Sequence, residues 1–173
     1  MKQLPLCKLQ SLFAAVSAAQ KLYIPADDAA GQASFTVWRD GMELTKKLNT
    51  VRSAKDLFFP QVENLVGFRV TGKQLDLIET RDQTEPFVLF GVRACDARSF
   101  EILDKVFLAE PQDTYYASRR ANGTVVTLAC TRPEETCLAS RSASIRQRRR
   151  ATSAAGWTLR TSTGRQTPKR ARR

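Results

Sequence analysis

The sequence predicts an α/β domain over residues 1–137, a small, mostly parallel sheet flanked by helices, followed by a disordered basic tail at 138–173. Three observations carry this. Two continuous apolar runs, "PFVLFGV" at 86–92 and "TVVTLAC" at 124–130, have the pattern of strands buried on both faces. Between them lies a helical stripe, so strand, helix and strand follow at the spacing of a crossover between parallel strands. The third is the charge. Of 28 basic and 17 acidic side chains, residues 1–137 hold 17 of each, so the whole excess of +11 lies in the last 36 residues.

Residues 3–20, "QLPLCKLQSLFAAVSAAQ", place Leu6, Leu9, Phe13 and Val16 at helical spacing. A small-residue ending resembles a signal-peptidase site, but Lys8 and Gln10 break the apolar stretch, which favours an amphipathic first helix. "LPLC" at 4–7 lacks the apolar segment that a lipoprotein signal needs. "YIPA" and "ASFTVWRDG" read as short strands, the second ending in a turn at Asp40-Gly41. Residues 42–68 are expected to be mostly helical or irregular, with a break at Pro60. "KQLDLIET" alternates and reads as a half-exposed strand.

After the run at 86–92, "RACD" turns into a helix whose stripe is Phe100, Leu103 and Phe107. Asp96 stands where an N-cap is expected, and Asp96 and Glu101 place acidic charge early in that helix. Asp96, Arg98 and Asp104 are read as capping and solvated-face charges. "TYYASRRAN" reads as a helix stopped at Asn122-Gly123; Tyr115, Tyr116, Arg119 and Arg120 could hold an anionic cofactor, but an exposed helix surface is the expectation.

Composition excludes several functions. There is no histidine, which removes imidazole-based nucleophile activation and imidazole metal sites. No Gly-rich phosphate loop occurs, since Gly91 and Gly123 stand alone. The apolar runs fall well short of the ~20 residues that a membrane span needs, and the expected location is cytoplasmic. Thiols there stay reduced, so Cys7, Cys95, Cys130 and Cys137 are not read as disulfides.

Ligands of open parallel sheets sit beyond the carboxyl ends of the strands. Cys95 follows the first buried run and Cys130 ends the second, so neighbouring strands would bring both thiols to one rim. Cys137, in "TRPEETC", can fold back to the same place. Three converging cysteines are candidate ligands of a soft metal or iron–sulfur cluster, with Asp96 behind them orienting the loop. Against this, cysteine often serves as a small buried hydrophobe, no Cys-x-x-Cys occurs, and three thiolates fall one short of a full set. Cys7, on a helix rich in Leu and Phe, is expected in the core.

"FGVRACDARSFEILDKVF", "DTYYASRRANGTVVTLACTRPEETC" and, upstream, "NTVRSAKDLFFPQVENL" together resemble the N-terminal region of a 4Fe-4S dicluster protein family. That family includes the beta subunits of sulfhydrogenase-type hydrogenases and the corresponding iron–sulfur subunit of anaerobic sulfite reductase. The likeness covers roughly residues 40–137. It implies a non-catalytic electron-transfer subunit carrying 4Fe-4S clusters, working with other subunits of a redox complex. The family has one more cysteine two residues after the position of Cys137, where this chain has Ala139, and a ferredoxin-like module beyond it that is missing here. The truncated chain is therefore expected to be inactive, with or without a cluster of its own.

The departure begins at Leu138, where acidic residues also stop. This predicts a reading-frame slip. With permitted codons and a shifted frame, "RTSTGRQTPKRARR" reads Asp-Val-Tyr-Trp-Gln-Ala-Asn-Thr-Glu-Lys-Gly-Glu-Ala, and "LASRSASIRQ" reads Cys-Val-Thr-Leu-Gly-Ile-Asp-Pro-Ala, restoring the missing cysteine. The competing reading is a nucleic-acid-binding arm, since Arg-rich segments bind phosphate in a salt-dependent way. The tail has no helical stripe and Trp157 is its only aromatic, which predicts disorder and, at most, non-specific binding.

Overall fold

The computed structural model describes residues 4–47, 49–79 and 84–128. Cys130, Cys137 and the tail at 138–173 lie outside the described residues.

A 3-10 turn at Leu6–Lys8, opened by Pro5, leads into helix α1, Leu9–Ala19. Strands β1, Lys21–Asp27, and β2, Ala33–Val37, form an antiparallel pair with Pro25 opposite Phe35. A second 3-10 turn occupies Ala54–Leu57. Strands β3, Val66–Thr71, and β4, Gln74–Glu79, form a separate hairpin. Then come β5, Phe87–Arg93; α2, Ala94–Phe107; α3, Thr114–Asn122; and β6, Gly123–Leu128.

The main sheet has the order β2-β1-β5-β6. β1 runs parallel to β5, β5 runs parallel to β6, and β2 is antiparallel to β1, so the sheet is mostly parallel as the sequence predicts. Its central strand, β5, is buried along nearly its whole length because helices cover both faces. On one face α1 inserts Phe13 against Leu22, Ile24, Val88, Phe90 and Trp38. On the other, Phe87, Leu89, Val92 and Val125 meet Phe58, Phe100 and Tyr116, brought by the 54–57 turn, α2 and α3. Each such side chain contributes about 1.5–3 kcal/mol by leaving water.

Gly91 makes both faces possible. Strict alternation would send Val92 to the α1 side with Val88 and Phe90. A bulge between Phe90 and Val92 takes Gly91 out of the register, so Val92 joins Phe87 and Leu89 instead. Gly91 sits at φ +88°, and a Cβ there would lie 2.9 Å from the Pro25 ring. Only glycine meets both demands. Gly123, at the start of β6, is forced by space alone: a Cβ would come within 2.3 Å of the Phe58 ring.

Three expectations need correction. The stretch 42–68 contains no α-helix among its described residues; it runs as irregular chain around a 3-10 turn and ends inside β3, which the sequence reading missed. The N-cap of α2 is Arg93, not Asp96, which sits in the helix's first turn. Cys7 is exposed on the leading 3-10 turn, because α1 turns Phe13 inward and the preceding residues leave its buried face.

Candidate functional site at the carboxyl edge of the sheet

The chain leaves β5 at Arg93 and enters α2 immediately, so the residues that close the strand also open the helix. β1 ends alongside, and β2 begins there because it runs the other way. A cleft of about 330 Å³ lies at this carboxyl edge. Pro25, Phe35 and Gly91 from the strands form its apolar part, and Arg93, Cys95 and Asp96 come from the β5–α2 junction. The irregular chain after β2 supplies the facing wall with Lys47, Asn49, Thr50, Val51 and Ser53.

That wall is tied down by backbone bonds. Thr45 N–H donates to the Pro25 carbonyl at 2.9 Å and Val51 N–H to the Ala33 carbonyl at 2.8 Å. Thr45 Oγ1 donates to Asp27 Oδ1 at 2.8 Å. Lys47 donates to the Gly31 carbonyl and stands 3.8 Å from Asp27, while the Lys47 carbonyl accepts from Arg93 Nη2 at 3.1 Å. A segment with no period of its own is thus fixed by the ends of β1, β2 and β5.

Asp96 fixes the next part of the wall. Its Oδ1 accepts from Ser53 Oγ at 3.0 Å and from Lys55 Nζ at 3.3 Å. Ser53 in turn accepts from Lys55 N–H, which caps the 3-10 turn at Ala54–Leu57. Asp96 therefore orients a loop 41 to 43 residues away in sequence rather than its own helix end. Cys95 is exposed, lines the cleft, and is not in a disulfide; Cys7 is also exposed but does not line it.

Arg98 is exposed on α2 and pairs with Glu101, as a solvated helix face requires. Asp104 and the charges and rings of α3, by contrast, are not a solvated surface. Asp104 accepts from Arg120 Nε at 2.9 Å, from Arg120 Nη2 at 3.1 Å and from the Tyr116 hydroxyl at 2.7 Å. Tyr116 and Arg120 are buried, and the guanidinium lies over the Phe58 and Phe100 rings at 5.6 and 5.7 Å. Burial, followed by the bond to Asp104, pushes the Tyr116 phenol well above its ordinary range. Arg119 pairs with Glu63, and the Tyr115 hydroxyl donates to the Leu65 carbonyl at 2.8 Å. These four side chains hold the domain together, and none lines the cleft. The pairing partners lie 12 to 56 residues away, which is why local pattern could not find them.

Of the sequence-predicted site, the structure brings Cys95 and Asp96 to one cleft, and Cys130 and Cys137 lie outside the described residues. Lys47, Ser53 and Lys55 were missed, because nothing in the irregular stretch marks them. Iron–sulfur clusters take thiolate ligands. Among the described residues the cleft offers one, and no group of three or more His, Cys, Asp or Glu side chains is placed to hold a metal ion. These residues do not form a cluster site by themselves. Among the described residues, no helix is long and apolar enough to cross a membrane.

The architecture defines an α/β domain with a ligand-edge cleft, and comparison with known proteins narrows this. Over 51 residues the chain is 51% identical to the sulfhydrogenase 2 subunit beta of Pyrococcus furiosus, a stretch that covers 30% of this chain. It covers 15% of that protein's length. No family model and no solved structure matches the chain.

Proposed function

We propose that residues 1–137 are the leading α/β domain of an iron–sulfur electron-transfer subunit, one that works with other redox subunits of a hydrogenase- or sulfite-reductase-like complex. The observation that carries this reading is the 51% identity to a sulfhydrogenase beta subunit. The strand register supports it: Arg93 of β5 is opposite Leu128 of β6 in a parallel pair, and in sequence each stands two residues before a cysteine, Cys95 and Cys130. Cys95, Cys130 and Cys137 are the candidate ligands of a 4Fe-4S cluster. Asp96 is the positioning residue, because it holds the loop that faces Cys95. The chain itself supplies no catalytic group in this reading.

Anaerobic reconstitution with iron and sulfide, followed by iron and acid-labile sulfide analysis, tests it. Bound iron that falls on Cys95→Ser, Cys130→Ser or Cys137→Ser supports cluster ligation. No bound iron, or iron insensitive to all three changes, favours the second reading: a docking domain in which the cysteines are not ligands. That reading is favoured by the single thiol at the cleft among the described residues.

The tail at 138–173 is, in this proposal, out of frame rather than functional. Support comes from the confinement of the whole charge excess to that segment and from the cysteine that the shifted frame restores. The nucleotide sequence from the codon of Leu138 onward decides it, and codons incompatible with the shifted strings end the idea. If the tail is instead a binding arm, a salt-dependent gel shift with the full chain vanishes on removal of 138–173. In the out-of-frame reading any such shift is non-specific, unchanged by competitor sequence.

A further inference from the structure

The β3–β4 hairpin presents an apolar face that the cleft and the redox reading leave unexplained. Its register sets Phe68 opposite Leu77, Val70 opposite Leu75 and Val66 opposite Glu79, all on one face because side chains alternate along a strand. The five apolar members are 55–72% exposed. The other face carries Gly67 with Ile78, Arg69 with Asp76 and Thr71 with Gln74, so it is largely polar. The hairpin pairs with no other strand among the described residues. Its root is anchored to α3 through Glu63–Arg119 and Leu65–Tyr115, which leaves the ribbon to project.

We propose that this face is a homodimer interface. Two copies of the chain stack it antiparallel about a two-fold axis, with Phe68 and Leu77 at the centre. A two-stranded ribbon alone is marginal in water and gains most from a second sheet layer about 10 Å away. The ribbon of a second copy is such a layer.

Area and charge both select this occupant. Five large apolar side chains at these exposures leave about 500 Å² of contiguous apolar surface per copy, the size that marks a contact site. Two copies together bury about 1,000 Å², the lower limit for a specific interface. Lys73 stands at the turn end of the ribbon and Glu79 at the open end, on the apolar face. Antiparallel stacking places Lys73 of each copy toward Glu79 of the partner subunit, twice by symmetry. Parallel stacking would gather both Glu79 side chains at one end and both Lys73 side chains at the other and is disfavoured.

Sedimentation velocity on the full chain, treated with nuclease, tests this. The wild type is expected to show a monomer–dimer equilibrium with a Kd on the order of 10 µM, as befits a small interface. Phe68→Glu is expected to raise that Kd at least tenfold, as for a central apolar anchor. It should leave the melting temperature in place, since the side chain is 72% exposed. K73E is expected to weaken dimerisation by about threefold, and K73E/E79K to restore it by exchanging the charges. A monomer at all concentrations, assembly that continues beyond the dimer, or a Kd untouched by Phe68→Glu overturns the proposal. None of these outcomes depends on whether the chain binds iron, so the interface and the redox reading stand or fall separately.

Discussion

Asp104 of α2 grips Arg120 of α3 through a two-point contact, Nε to Oδ1 at 2.9 Å and Nη2 to Oδ2 at 3.1 Å, with the guanidinium almost wholly buried. A forked donor matches a carboxylate in this way, and the two phenylalanine rings around it exclude water. The pair joins the crossover helix to the helix that leads into β6, so it holds together the elements around the cleft strand.

Asp104→Ala should therefore be costly. It leaves a buried guanidinium without its counter-charge, a loss of about 3–5 kcal/mol. It also takes the acceptor from the Tyr116 hydroxyl. Urea unfolding is expected to show a large fall in midpoint at unchanged slope. A loss below ~1 kcal/mol, the range of a surface ion pair, would mean that the pair is solvated.

Stability should fall at alkaline pH through Tyr116. Burial and the Asp104 bond raise its folded-state pKa, while the unfolded chain ionises near pH 10. Above that value the unfolded state has released a proton that the folded state keeps. Folding stability from this group is thus fully present below pH 10 and declines as pH rises, by at most about 1.4 kcal/mol per pH unit. Tyr116→Phe removes that part of the slope while costing stability at neutral pH. Identical slopes for the two proteins above pH 10 would refute the assignment.

Gly91→Ala tests the bulge. A side chain at φ +88° is strained and meets the Pro25 ring at 2.9 Å, so a loss of about 1–3 kcal/mol is expected. The steric share should shrink in a Pro25→Ala background, which makes the two changes non-additive. Additive effects in chemical denaturation would assign the whole cost to backbone strain.

Thiol chemistry reports on the cleft. Cys7 and Cys95 are exposed, so both should react with iodoacetamide without denaturant, as peptide mass mapping would reveal. After anaerobic reconstitution, Cys95 should become protected and Cys7 should not. Equal labelling of both in an iron-loaded sample would remove Cys95 from the ligand set.

Local pattern was enough for several elements. The apolar run at 86–92 announces β5, and the Phe100, Leu103 and Phe107 stripe announces α2, since both depend on neighbours within four positions. It failed at β3, although Val66, Phe68 and Val70 alternate with Gly67, Arg69 and Thr71, because the reading of residues 42–68 as one helical or irregular stretch runs into the strand. It misjudged Arg120, Tyr116 and Asp104 because charge on a helix looks solvated until the opposing helix is in place.

The sequence by itself determined the fold class, the parallel relation of the two buried strands, the confinement of basic charge to the last 36 residues and the candidacy of Cys95. Tertiary structure alone decided that an aperiodic loop walls the cleft, that Asp96 serves this loop rather than its own helix, and that five apolar side chains of the hairpin face outward. Periodicity records which face of an element is apolar. It carries no information on what, dozens of residues away, that face or that charge will meet.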